Sequence, residues 1–136
     1  MKVLILCTGN SCRSQMAEGI LKKLKPSWLV KSAGTKPAEA VHPKAVQVMK
    51  ELGIDISGAK PEHTDKYIGD NWDTVITVCG DAEEKCPLFT GNVKEKLHIG
   101  FFDPAKAEGS EEEVYKIFQD VRDEIKIRFT EFADAL

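Results

Sequence analysis

The feature that most constrains this chain is the run Lys2–Cys7 (KVLILC), apolar almost throughout and without alternation. A strand with one face in water alternates apolar and polar residues. One that is apolar on both sides needs a layer above and a layer below, the pattern of a parallel sheet covered by helices. The run ends in a polar turn at Thr8, Gly9 and Asn10. Beyond it Met16, Ile20, Leu21 and Leu24 recur at helical spacing until Pro26 stops the pattern, with Ser14 as the expected N-cap. The chain therefore opens as strand, loop, helix.

The same alternation continues. Residues 28–32 predict a second strand ending at Ala33 and Gly34. A second helix starts near His42, with Pro43 in its first turn, Ala45, Val48, Met49 and Leu52 on one face, and Gly53 closing it. Residues 73–79 (DTVITVC) predict a third strand and 97–101 a fourth. In the last helix Ser110 and Glu113 form a capping box, and Val114, Ile117, Phe118, Val121, Ile125, Phe129 and Phe132 trace one apolar stripe. A length of 136 residues fits one domain, 1–136. The expected fold is a three-layer α/β sandwich, a four-stranded parallel sheet flanked by helices, with its site at the carboxyl ends of the strands. Cys7, Cys79 and Asp103 all fall just after predicted strands.

Composition narrows the function classes. With 42% hydrophobic and 30% charged residues the chain is neither disordered nor built around a membrane span. No signal region is visible, so the cytoplasm is the expected location. A net charge of −3 without a Lys/Arg cluster argues against nucleic-acid binding. No unpartnered apolar stripe calls for a second subunit, so a monomer is expected. The four cysteines suit catalysis, redox chemistry or metal binding better than a disulfide framework.

Their positions decide among these. Cys7-Thr8-Gly9-Asn10-Ser11-Cys12-Arg13-Ser14 sets a cysteine and an arginine six positions apart between a buried strand and a helix start. A loop winding into a helix N-terminus aims backbone N–H groups at one point, and the helix dipole adds positive potential there. Arg13 contributes a planar fork that matches two oxygens of a tetrahedral anion. The same field favours a thiolate, so Cys7 is expected to have a depressed pKa and act as the nucleophile, with Ser14 hydrogen-bonding to it. A Walker loop is excluded because its lysine is missing. Cys7 as a merely buried residue and Arg13 as a merely solvated one would leave the glycine and the helix start unexplained.

The segment CTGNSCRSQMAEG resembles the opening loop and helix of the low-molecular-weight protein tyrosine phosphatase superfamily, and the resemblance covers nearly the whole chain. It implies a flavodoxin-like topology and an oxyanion site formed by Thr8, Gly9, Asn10, Ser11, Cys12 and Arg13. Two branches share that loop, the phosphatases and the thioredoxin-coupled arsenate reductases. The superfamily's general acid is an aspartate in an Asp-Pro pair, matched here by Asp103-Pro104. An acid there would protonate the leaving oxygen, and the proline would stiffen the backbone that presents it.

Cys79 and Cys86 separate the branches. A phosphatase needs neither, whereas a reductase must deliver two electrons by thiolate attack on a preceding sulfur. The resemblance to the reductases implies that Cys7 attacks arsenate, that Cys79 expels arsenite and forms Cys7–Cys79, and that Cys86 takes over Cys79. The resulting Cys79–Cys86 disulfide would be presented to thioredoxin. Residues seven apart on an intact helix lie about 10 Å apart along its axis, while disulfide Cα atoms lie within about 7 Å, so a helical segment there must open on oxidation. A Cys7–Cys12 disulfide remains a rival redox outcome. Zinc held by Cys79, Cys86 and His98 lacks the paired spacing such sites use.

The reading is thus a cytoplasmic arsenate reductase serving arsenic detoxification, with weak phosphatase activity from the shared loop. The alternatives are a tyrosine phosphatase working through a Cys7 phosphocysteine and a non-catalytic oxyanion-binding redox sensor. Phosphatases of this kind usually carry tyrosines after the Asp-Pro pair, where this chain has Ala105 and Lys106. No tightly bound cofactor is expected. Some reductases of the family bind potassium beside the loop, and Asn10, Glu18 and Ser32 match part of that site. The longer segment 57–70 leaves the remaining ligand unassigned. His42, His63 and His98 suit capping or surface roles, and Trp28 and Trp72 suit packing.

Overall fold

Both sides of the opening strand are covered. In the computed structural model, which describes the backbone of residues 1–136 and all side chains except those of Asp81 and Glu83, Val3, Leu4, Ile5 and Leu6 have no exposed surface. Successive strand residues point to opposite faces, so burial of all four requires a layer on each side of the sheet.

This strand, β1 (Lys2–Cys7), is central. It pairs in parallel with β2 (Leu29–Gly34), in register from Lys2↔Leu29 to Cys7↔Gly34, and on its other side with β3 (Trp72–Thr77), from Val3↔Thr74 to Leu6↔Thr77. The fourth strand, β4 (Val93–His98), extends β3 and gives the all-parallel order β2-β1-β3-β4. All four carboxyl ends therefore reach one edge, where Cys7, Gly34, Cys79 and the 99–103 segment emerge.

β4 begins four residues before the segment 97–101 expected from sequence and shares only residues 97 and 98 with it. Its Lys94, Glu95 and Lys96 are exposed, as an edge strand tolerates, whereas the apolar Ile99 and Phe101 are buried just beyond it. Both still bond to the neighbouring segment, Ile99 N–H to the Thr77 carbonyl and Phe101 N–H to that of Val78. The strand signal there came from residues that plug the sheet's end.

Helix α1 (Arg13–Leu24) packs against β1, β2 and the long α4 (Glu111–Asp134), and α2 (Pro43–Lys50) also packs on α4. The Ser110–Glu113 capping box is formed, and Phe118, Ile125 and Phe129 of the predicted stripe are fully buried. Each such side chain contributes about 1.5–3 kcal/mol of apolar burial. Arg122, otherwise out of place in that stripe, donates to the Val48 carbonyl at 2.9 Å and pairs with Glu51 at 2.6 Å, joining α4 to the end of α2. His42 caps α2 through Nδ1, which accepts the Lys44 N–H, and Gly53 takes the positive φ of 74° needed to leave the helix. The short α3 (Gly80–Glu84) follows β3.

Candidate active site

The Cys7–Ser14 loop is arranged by what becomes of its carbonyls. Those of Cys7, Thr8, Gly9 and Ser11 accept the N–H groups of Thr35, Lys36, Ala38 and His42. That of Asn10 accepts from Gln15 Nε2, and that of Cys12 from the Met16 N–H. Every acceptor from Cys7 to Cys12 is thus bonded within the protein. The negative ends of these peptide dipoles are engaged there, which suits a loop whose N–H groups receive an anion. Residues 35–41, which supply three of these donors, carry no motif and give no signal in the sequence.

Asn10 is the keystone. It is fully buried with φ of 52°, a left-handed conformation that asparagine tolerates better than most residues. Its N–H donates to Cys7 Sγ at 3.1 Å, and its Nδ2 donates to Ser14 Oγ (2.7 Å) and Ser32 Oγ (2.9 Å). Its Oδ1 accepts from Gln15 Nε2 and from the Glu62 N–H. Gly34 is required by close approach, because a Cβ there would sit 2.3 Å from the Thr8 carbonyl oxygen.

Two expectations are corrected here. Ser14 is not the N-cap: α1 begins at Arg13, Cys12 holds the cap position, and no side chain caps the helix. The Ser14 hydroxyl lies 2.8 Å from Cys7 Sγ, the contact with the thiol that was also expected of it. Nor is the Cys7 pKa depressed. Burial pushes the thiol up and outweighs the opposing pull of Ser14, the Asn10 N–H and the Arg13 charge. Burial likewise drives Cys12 up to about 12, so it stays a thiol at neutral pH.

A cleft of about 430 Å³ opens above the loop, lined by Cys7, Cys12, Arg13, Cys79, Asp103 and Lys106 among others. Arg13 Nη2 lies 3.4 Å from Asp103 Oδ2, and its Nη1 donates to the Phe101 carbonyl, which fixes the guanidinium against the far wall. Asp103 Oδ1 caps the turn Pro104–Lys106 by accepting the Ala105 N–H at 3.0 Å. Cys79 is buried, with Sγ 3.4 Å from Thr8 Oγ1 and accepting the Ala82 N–H at 3.3 Å. Cys7, Arg13, Asp103 and Cys79 therefore meet in one cavity.

Cys86 does not join them. It is half-buried and opens onto a separate cavity of about 150 Å³ with Val75, Thr77, Lys96, Leu97 and His98. The intervening Gly80–Glu84 is helical, and Cys79 and Cys86 lie just outside that helix, one at each end of the segment. All four cysteines are free thiols.

Glu18, Ser32 and Asn10 are brought together, Ser32 Oγ donating to Glu18 Oε1 at 2.7 Å. Asn10 turns its amide nitrogen toward Ser32, because its oxygen is taken by the Glu62 N–H. The three do not present oxygens to a common point, so this arrangement does not fit a potassium ion. Among the described residues no group of three or more His, Cys, Asp or Glu could hold a metal. His63 caps the turn Thr64–Lys66, and His98 Nδ1 bonds with Thr77 Oγ1 at 2.8 Å. Trp72 is buried, and Trp28 packs edge-on against Phe132. Among the described residues no helix is long and apolar enough to cross a membrane.

A flavodoxin-like sheet whose first strand ends in a cysteine-headed oxyanion loop defines a class of thiol enzymes built for tetrahedral anions. The chain belongs to the low-molecular-weight phosphotyrosine protein phosphatase family, whose model matches residues 2–136. It is 53% identical to an arsenate reductase of Bacillus subtilis over 97% of this chain and 94% of that protein. A solved arsenate reductase in its oxidized state superposes with a TM-score of 0.80 and 32% identity, covering 94% of this chain and 92% of that one. A thioredoxin-dependent arsenate reductase of Corynebacterium glutamicum does so with a TM-score of 0.71 and 29% identity, covering 98% of this chain and 60% of the other.

Proposed function

We propose that this chain reduces arsenate to arsenite through a relay of three thiols, with thioredoxin as the reductant. The observation that carries the reading is that Cys7 and Cys79 open onto one cleft with Arg13 and Asp103, while Cys86 waits seven residues on at the far side of a short helix. The similarity to arsenate reductases over nearly the whole chain supports it.

Arsenate is held by the loop N–H groups and the Arg13 fork. The Cys7 thiolate attacks arsenic, and an oxygen leaves as water with a proton from Asp103. Cys7 gives its proton up against the burial that holds it on, helped by the Asn10 N–H and Ser14. The Cys79 thiolate then attacks Cys7 Sγ, and the S–As bonding pair passes to arsenic, releasing arsenite and forming Cys7–Cys79. Thr8 Oγ1 and the Ala82 N–H both contact Cys79 Sγ and hold it at the cleft for that attack. Cys86 attacks Cys79, freeing Cys7, and thioredoxin reduces Cys79–Cys86 by two electrons. The reaction belongs in the cytoplasm, where thiols are kept reduced.

The test is arsenate-dependent NADPH consumption with thioredoxin and thioredoxin reductase, run on wild type, Cys79→Ser and Cys86→Ser. Turnover by wild type alone supports the relay. An inert wild type that hydrolyses aryl phosphates briskly overturns it.

A further inference from the structure

The cleft carries one cation that the relay leaves without a task. Lys106 lines it beside Ala105, on the turn Pro104–Lys106 that Asp103 caps. The Ala105 N–H bonds to Asp103 Oδ1 at 3.0 Å and the Lys106 N–H to the Asp103 carbonyl at 3.1 Å, so acid and lysine ride on one braced turn. Arg13 and Asp103, the other charged lining residues, lie 3.4 Å apart and offset each other. Among the described residues Lys106 has no ion-pair partner. Without it the lining side chains sum to no net charge, and with it the cleft is positive.

A tetrahedral anion that rests three oxygens on the loop and Arg13 turns its fourth toward the wall formed by Asp103 and Lys106. In an inorganic oxyanion that fourth position is an oxygen or hydroxyl, which a lysine attracts. In a phosphate monoester it carries the organic group, and among the described lining residues there is no aromatic ring for an aryl group to stack on. We propose that Lys106 is a specificity-determining residue, which selects an inorganic tetrahedral oxyanion over an organic phosphate by meeting the fourth oxygen. The inference rests on the oxyanion-binding part of the reading above and is independent of the thiol relay.

The test is isothermal titration of the reduced protein with inorganic phosphate and, separately, with phenylphosphonate as a non-hydrolysable stand-in for an aryl ester. Lys106→Gln is expected to weaken phosphate about three- to fivefold, in the range of a solvent-screened ion pair, and to leave phenylphosphonate unchanged. Lys106→Arg should restore phosphate affinity. Equal losses for both ligands, no loss for phosphate, or a wild type that binds no phosphate would each overturn the proposal. Neither titration involves reduction. A wild type that binds phosphate but consumes no arsenate would sink the relay while leaving the Lys106 comparison intact.

Discussion

The two cysteine-bearing segments at the carboxyl edge of the sheet are built on opposite plans. In the Cys7–Ser14 loop Cys7, Asn10, Cys12 and Ser14 are buried, and every carbonyl from Cys7 to Cys12 is bonded to another part of the chain. The Cys79–Cys86 segment buries Cys79 and Ala82 but exposes Glu84 and Lys85, leads to a Leu88 that is 88% exposed, and leaves Cys86 half-buried over another cavity. A cradle for an anion must keep its donors aimed throughout turnover, so it is over-determined. On the proposed relay Cys86 has to be carried to Cys79, and of the two it is Cys79 that is anchored. Order is concentrated where geometry does the chemistry and withheld where a thiol must travel.

The largest effect should come from the anchor shared by both regions. Cys79→Ser is expected to cut steady-state arsenate turnover by about a thousandfold or more, while inorganic phosphate binds as in wild type. Loss of phosphate affinity would show that the two regions are not separable. Next, Arg13→Lys keeps the charge but loses the fork, and kcat/KM for arsenate should fall about a hundredfold, within the range seen when an oxyanion donor is removed. Asn10→Ala removes Nδ2 and Oδ1 from buried partners and should destabilise the protein by about 2–3 kcal/mol in urea unfolding. A value near zero would mean that the loop is held by its carbonyl bonds alone.

A pH profile sharpens the contrast. Because burial raises the Cys7 thiol, its alkylation by iodoacetamide in the free protein should keep rising with pH beyond the ordinary thiol range, about 8.5. Ser14→Ala should move that profile further up, since it removes a partner of the thiolate. The smallest effect is expected in the other region. Glu84→Gly weakens α3 by about 1 kcal/mol and should speed Cys79–Cys86 formation up to about fivefold in thiol-trapping experiments. A slower step would mean that the helix assists the exchange.

The same contrast governed how far the sequence could be read. A strand buried on both faces and a capping box are local signals, and β1, α1 and α4 were legible from them, as was the convergence of Cys7, Arg13, Cys79 and Asp103. β4 was misplaced because an edge strand can be almost wholly charged, while the apolar residues after it fill a corner of the core. Of the two roles expected of Ser14, partner of the thiol held and helix cap did not, because the helix already starts at Arg13. The Cys7 pKa went the wrong way because the sequence displays the charges near a thiol but not the depth of its burial. Nothing in the letters showed that Asn10 would spend its oxygen on the Glu62 N–H, which turned its nitrogen toward the expected ion site.

The separation of Cys86 from the oxyanion cleft has a kinetic corollary. On the proposed relay, arsenite leaves before the reductant is needed, and the disulfide offered to thioredoxin no longer includes Cys7. The two substrates then follow a ping-pong order and never compete for one surface. Phosphate, an oxyanion of the same shape, would displace arsenate while leaving the rate of recharging untouched. Raising reductant could not relieve inhibition by phosphate, and only more arsenate would.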